Sequence, residues 1–301
     1  MEIIAYDNAK LNNTAVALGK FEGVHKGHML LIKKISELSI IKNNIKSVVF
    51  TINMPGENVI NLDSERYDIF EGLGVDYVCE CPFDEKISSL TPEDFIKSIL
   101  IERLGASYVV VGEDFCFGHK RMGNVKTLKE YSKEYNYEVV VFEKLKIDDC
   151  IVSSSSIREF LDTGDVKKVA DFMGRPYSIS GIVTEGKKLG RTIGFPTVNI
   201  KPDIKKRLPL AGAYETRIII SGDSKIYKGI TNVGNNPTVN PDVCADSNVN
   251  ALVETHLIDF EGDLYGKMIQ IDFIRFIRPE IKFDNVEKLK KQLIIDKESV
   301  V

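Results

Sequence analysis

The sequence predicts an α/β domain followed by a β domain: a doubly wound parallel sheet over residues 1–175, then a small antiparallel β-barrel with a C-terminal helix over 176–301. Three observations carry this prediction. In the first half, short apolar runs alternate with capped helical stretches. That rhythm stops near Gly174-Arg175-Pro176, and beyond it strand-like runs succeed one another, separated by Gly, Asn, Pro and Asp.

TAVAL (14–18), KSVVF (46–50), DYVCE (76–80), SYVVVG (107–112) and YEVVVF (137–142) are nearly continuous apolar runs. Strands buried on both faces read this way. Between them lie helical stretches. In TPEDFIKSILIERLG, Thr91 is an N-cap, Pro92 suits the first turn, Glu93 and Asp94 favour the positive helix end, and Gly105 is a stop. In the second half YSISGIV, AYETRIIIS, KIYKGITNV, NALVETHLI and MIQIDFIRFI are the strand candidates. FDNVEKLKKQLIID (283–296) has a helical period, with Asp284 as its cap candidate.

With 301 residues, the chain can bury two separate cores. A formal charge of −4 argues against a nucleic-acid partner but not against nucleotides, whose phosphates need only local N–H groups and a few cations. No apolar run approaches the ~20 residues that span a bilayer, and MEIIAYDNAK lacks a signal peptide's basic and apolar regions. An odd count of five scattered cysteines reads as reduced thiols in the cytoplasm.

The first chemical signal is GKFEGVHKGHMLLIKKISEL, which directly succeeds TAVAL. Gly19, Gly23 and Gly27 let the backbone turn sharply and approach a ligand, and a helix starting near Lys26 aims its free N–H groups at that turn. Phe21 lies in the same turn and is counted with it as part of the phosphate site. His25 and His28 bracket Gly27, so both imidazoles can face one anion. The His-x-Gly-His box resembles the nucleotidyltransferase superfamily that attacks the α-phosphate of a nucleotide, in which the histidines stabilise charge on the phosphoryl oxygens. VVGEDFCFGHKRMGN (110–124) resembles the flavin-contacting segment of bacterial FAD synthetases, which implies Asp114, Phe115, Phe117 and Asn124 as flavin residues. VSSSSIREFL (152–161) resembles the family's Ser-Ser-Thr-x-x-Arg motif. By itself a serine run before a helix is a cap; with the motif, Ser154, Ser155 and Arg158 are expected on ATP phosphates.

The second signal is GIVTEGKKLGRTIGFPTVNI (181–200), with Gly186, Gly190 and Gly194. Thr197 and Asn199, one residue apart, share a face on an extended segment and offer oxygens suited to Mg²⁺ and nucleotide phosphate. This stretch is very similar to the riboflavin kinase motif Gly-Arg-x-x-Gly-Phe-Pro-Thr-x-Asn, which adds Arg191 to the expected phosphate-binding residues. VETHLIDFEGDLYGK and the segments after it keep the resemblance; it implies Glu254 as general base. His256 reads as a packing or orienting residue, and Arg275 as a flavin contact or a solvated strand end. The C-terminal helix either closes over the flavin or simply packs.

Together these segments resemble the prokaryotic bifunctional riboflavin kinase/FMN adenylyltransferase (FAD synthetase) family over most of the chain. The resemblance implies ATP-dependent phosphorylation of riboflavin to FMN and adenylylation of FMN to FAD, with Mg²⁺. Riboflavin, FMN, FAD and ATP are the expected small-molecule partners, with no nucleic acid or membrane. Glu22 replaces the usual Asp, Cys116 the usual Arg, and FTINMPGE lacks the family's turn histidine. The alternatives are therefore a kinase whose first domain adenylylates poorly or prefers another substrate, and a non-catalytic flavin-binding regulator.

Overall fold

The computed structural model describes residues 1–53, 56, 58–185, 190, 194–235 and 251–300. The chain forms two compact units, Met1–Gly56 with Asn61–Ser153, and Glu57–Ile60 with Ser154–Val301.

The first unit is built on a six-stranded sheet: β1 (Glu2–Ala5), β2 (Thr14–Gly19), β3 (Lys46–Asn53), β4 (Tyr77–Pro82), β5 (Ala106–Gly112) and β6 (Glu138–Phe142), in the order β1-β4-β3-β2-β5-β6. Every neighbouring pair is parallel. The apolar runs are continuous because both faces are covered. Val16 and Leu18 join one core with Phe50, Phe95 and Val111, while Ala15 and Ala17 join another with Ile32, Ile35 and Val49. Strand β1 carries no sequence signal: it is a short edge element with an exposed pattern.

Helix α1 (Lys26–Ile41) leaves the end of β2 and buries Leu31, Ile32, Ile35 and Leu38, a helical spacing that fixes which face meets the sheet. Helix α2 (Asp63–Gly72) buries Arg66 and Phe70. The stretch after Thr91 is more complex than one α-helix. Thr91 caps it as expected, its Oγ1 accepting from the Asp94 N–H at 3.1 Å. The α-helical turn Pro92–Phe95, here α3, then widens into a π-helical stretch over Ile96–Ile101, where the Glu102 N–H donates to the Lys97 carbonyl. Helix α4 (Val125–Tyr131) precedes β6.

The second unit opens with α5 (Ser154–Asp162) and α6 (Val166–Met173), which a boundary at 175 would assign to the first domain. A closed six-stranded barrel comes next: β7 (Tyr177–Thr184), β8 (Val198–Ile200), β9 (Gly212–Ile220), β10 (Ile226–Asn235), β11 (Ala251–Leu257) and β12 (Met268–Pro279), in the order β7-β8-β11-β10-β9-β12. Alternation sorts its faces. Tyr177, Ile179, Ile200, Val253, Ile218 and Ile271 are buried. Three interior hydroxyls satisfy one another across β9, β10 and β11: Thr216 to Thr231 at 2.8 Å and Thr231 to Thr255 at 2.9 Å.

The C-terminal helix α7 (Val286–Glu298) begins later than its sequence pattern suggests. Asn285 is its cap, accepting from the Lys288 N–H at 2.9 Å, while Asp284 pairs with the Lys288 ammonium at 2.5 Å.

Candidate functional site

The first unit gathers its chemistry at the carboxyl end of β2, where ligands of open α/β sheets bind. The turn between β2 and α1 holds two bulky residues in the left-handed region, Phe21 at φ 48° and Val24 at φ 38°. Such strain persists where surrounding contacts dictate it, and functional turns are where it accumulates. Phe21 is fully buried, its ring edge-on to His28 at 5.0 Å and to Phe70 at 6.1 Å.

His25 caps α1 through Nδ1, which accepts from the His28 N–H at 3.2 Å. The two imidazoles stack with centroids 3.7 Å apart. A side chain at Gly27 would press on His25, since its Cβ would lie 3.2 Å from Nδ1. Burial holds the His28 pKa well below its ordinary value of 6.5, and the charge of His25 lowers it further. The His28 Nδ1 is buried and has no hydrogen-bond partner among the described residues. Gly19, Phe21, Gly27, His25 and His28 therefore form one cluster, with Gly23 in the same turn.

The expected flavin residues of this unit are placed less simply. Asp114 forms an ion pair with Lys144 at 3.0 Å. Phe115 stacks on Phe117 at 5.7 Å, but Phe117 itself belongs to the core, 5.2 Å from Phe95. Asn124 caps α4, its Oδ1 accepting from the N–H groups of Lys126 and Thr127 at 2.9 and 3.3 Å. Cys116, in the position of the usual Arg, rests its Sγ on the Asp114 carbonyl at 3.5 Å.

In the second unit, Ser154 and Ser155 lie in the first turn of α5 and Arg158 one turn later. They are inside the helix rather than before it. The barrel brings together Asn199 and Glu254. Asn199 on β8 is directly opposite Glu254 on β11, which in turn faces Asn232 on β10. The neighbours Val253 and Thr255 are fully buried, so alternation puts Glu254 on the opposite face, beside Asn199. Asn199 is 5% exposed, and its Oδ1 has no hydrogen-bond partner among the described residues. Leaving a buried carbonyl bare costs about 1–3 kcal/mol, so this atom is disposed to receive a cation or donor.

Gly190 matters here because of close approach. A Cβ there would lie 2.2 Å from the Phe195 carbonyl oxygen and 3.3 Å from the Thr197 hydroxyl. His256 orients the same segment: its Nδ1 lies 2.9 Å from the Pro196 carbonyl, so that nitrogen carries the proton and donates. A groove lined by Pro196, Thr197, Phe260, Asp263 and Tyr265 opens beside Thr197. Gly186 and Arg191 lie outside the described residues. Arg275 is engaged within the unit, its Nε donating to Glu215 at 2.9 Å and its Nη2 to the Ser299 carbonyl at 2.8 Å.

Arg66, in DSERYD, carries no signal in the sequence, yet is 6% exposed, and only packing reveals it.

Comparison with known proteins agrees with both halves. The FAD synthetase family matches residues 7–156 and the riboflavin kinase family residues 173–301. The bifunctional riboflavin kinase/FMN adenylyltransferase of Buchnera aphidicola is 35% identical, covering 97% of this chain and 94% of the relative. That of Haemophilus influenzae is 32% identical over 97% of this chain and 94% of its own length. That of Escherichia coli is 31% identical over 93% and 90%. A crystal structure described as a macrolide-efflux protein from Streptococcus pneumoniae is 28% identical, covers 99% of this chain and 98% of that one, and superposes with a TM-score of 0.86. Among the described residues, no helix of this chain is long and apolar enough to cross a membrane. Nothing in these matches supports a first domain of reduced activity. The chain thus belongs to the bifunctional riboflavin kinase/FMN adenylyltransferase family, converting riboflavin to FMN and FMN to FAD with ATP as co-substrate.

Proposed function

We propose that the Thr197–Asn199–Glu254 face of the barrel is the kinase site and that the His25–His28 turn is the adenylyltransferase site. The observation that carries the kinase assignment is the bare, buried Oδ1 of Asn199 beside the Glu254 carboxylate on the adjacent strand. Glu254 takes the proton of the ribityl 5′-hydroxyl as that oxygen attacks the γ-phosphorus of ATP. The bond to the β,γ-bridging oxygen breaks and ADP leaves. A positioned base of this kind contributes ~10²–10⁴-fold.

The donor set of Thr197 hydroxyl and Asn199 Oδ1 fits Mg²⁺, a hard cation that takes oxygen ligands and shares them with phosphate. When bound, it supplies neutralising charge for the phosphates. Thr197 and Asn199 fix where those phosphates lie, and His256 and Gly190 fix Thr197. Gly186 and Arg191 are proposed as further phosphate contacts of this segment.

In the first unit, a phosphate oxygen of FMN attacks the α-phosphorus of ATP, and pyrophosphate leaves. His25 and His28 lie against the helix start that holds the phosphates with Gly19, Phe21, Gly23 and Gly27, and they hydrogen-bond the phosphoryl oxygens as charge develops there. An entering anion favours the protonated imidazole that burial disfavours. Ser154, Ser155 and Arg158 of α5 are proposed as ATP contacts, Asp114, Phe115, Phe117 and Asn124 as flavin contacts of the first unit, and Arg275 as a flavin contact of the barrel. Among these, Phe115 is the ring best disposed to receive an isoalloxazine, because Phe117 is committed to the core. The functional boundary is placed at 175/176. The cytoplasm is the proposed location, because Cys79, Cys81, Cys116 and Cys150 are all free thiols.

The test is a chromatographic time course of riboflavin with ATP, with and without Mg²⁺. FMN rising and then giving way to FAD only in the presence of the metal is expected. FMN formation at full rate in EDTA would remove the metal assignment of Thr197 and Asn199.

A further inference from the structure

We propose that Arg66 is a positioning residue for the adenylyl transfer, holding the phosphate turn from beneath; the inference rests on the His25–His28 turn being that site. Arg66 lies on α2, outside every motif, and its side chain is 7% exposed. Its Nη1 donates to the Lys20 carbonyl at 3.1 Å and to the Thr51 Oγ1 at 3.3 Å. The Thr51 hydroxyl donates to that same Lys20 carbonyl at 3.0 Å. Two donors thus converge on one backbone oxygen, the carbonyl immediately before Phe21.

The Lys20–Phe21 peptide sets the course of the turn. A trans peptide is planar, so fixing the Lys20 carbonyl fixes the direction of the Phe21 N–H. Phe21 then leaves at φ 48°, a conformation its backbone does not favour unaided. Its ring packs between His28 at 5.0 Å and Phe70 at 6.1 Å. Helix α2 therefore grips the turn twice, through Arg66 on the Lys20 carbonyl and through Phe70 on the Phe21 ring. The His28 imidazole rests against the part so gripped.

The rest of the guanidinium is held apart from the turn. Nη2 donates to Asn53 Oδ1 at 3.3 Å and to Asp63 Oδ1 at 2.6 Å, while Nε is buried without a partner among the described residues. The carboxylate that pairs with it, Asp63, has a side chain 67% exposed and well solvated. A buried cation with one orphaned N–H and a solvent-screened counter-ion is a costly way to brace a fold. Its charge is left to act beneath a turn that receives polyphosphate.

The experiment compares Arg66→Lys, Arg66→Met and His28→Ala in the full chain, measuring FMN-to-FAD and riboflavin-to-FMN rates separately, with thermal unfolding alongside. Arg66→Lys keeps the buried cation, but an ammonium cannot reach the Lys20 carbonyl and the Asn53–Asp63 pair at once. Displacing a positioned group by about 1 Å costs up to ~10²-fold. The expected result is an adenylyltransferase kcat lowered ~10–10²-fold, more in Arg66→Met than in Arg66→Lys, with KM for FMN and the kinase rate near wild type. Arg66→Lys unfolding like wild type, yet with unchanged kcat or a loss confined to KM, overturns the inference. If His28→Ala abolishes FAD formation while both Arg66 variants are normal, this inference alone fails. If His28→Ala forms FAD normally, the site assignment fails and takes the inference with it.

Discussion

Burial pushes the His28 imidazole well below its usual pKa of 6.5, and His25 stacked on it adds to the shift. The consequence for stability has a definite sign. Below 6.5 the unfolded chain carries a proton on His28 that the native state does not, so stability is lost as pH falls through that window toward the lowered native pKa. Each pH unit across it contributes up to about 1.4 kcal/mol. The unfolding midpoint is expected to fall more steeply from about pH 7 to about pH 5 in wild type than in His28→Gln; equal slopes would remove His28 as the cause. Catalytically, His28→Ala is expected to abolish FAD formation and spare FMN formation, because the two clusters lie in separate units. An equal loss of both activities would contradict that separation. Glu254→Ala is expected to leave riboflavin binding largely intact and to lower kinase turnover ~10²-fold or more. Near-normal turnover would remove its role as base.

At the level of single elements, the C-terminal helix is held by a buried ion pair rather than by a broad apolar face. Arg278 on β12 donates from Nε to both carboxylate oxygens of Asp296 at 3.1 Å and from Nη2 at 2.8 Å, and Gln292 adds a bond at 2.8 Å. Asp296 is 1% exposed, while Ile294 and Ile295 point outward at 40% and 58%. Removing one partner of such a pair leaves an uncompensated buried charge and costs about 3–5 kcal/mol. Asp296→Ala is therefore expected to release α7 before the barrel unfolds, seen as fast amide exchange over Val286–Glu298 with slow exchange retained in β9 and β10. Retained protection in α7 would show that packing alone holds it.

Across the whole molecule, each unit buries hydrophobic residues of its own, Val16 and Ile32 in the first and Tyr177 and Ile271 in the second. FMN made at the barrel is expected to reach the other site through solution. A mixture of Glu254→Ala and His28→Ala chains should then convert riboflavin to FAD, with a lag that shortens as protein concentration rises. Failure of the mixture, with each single activity intact, would mean that FMN is passed within one chain.

Much of this was legible in the sequence for a physical reason: strands buried on both faces and helices with capping residues write their periodicity into neighbouring positions. Thus TAVAL and the start of α1 near Lys26 could be read locally. The edge strand β1, the π-helical stretch at Ile96–Ile101 and the capping by Asn285 instead of Asp284 could not, because competing local choices there differ by little and packing selects among them. Only the tertiary structure decided the rest. It seats Glu254 opposite Asn199 across a strand pair, commits Phe117 to the core and Asn124 to a helix cap, engages Arg275 with Glu215, and buries Arg66 under the Lys20 carbonyl. Residue types and spacing specify which groups are present; which of them meet is settled by the register of strands and the packing of helices far apart in the chain.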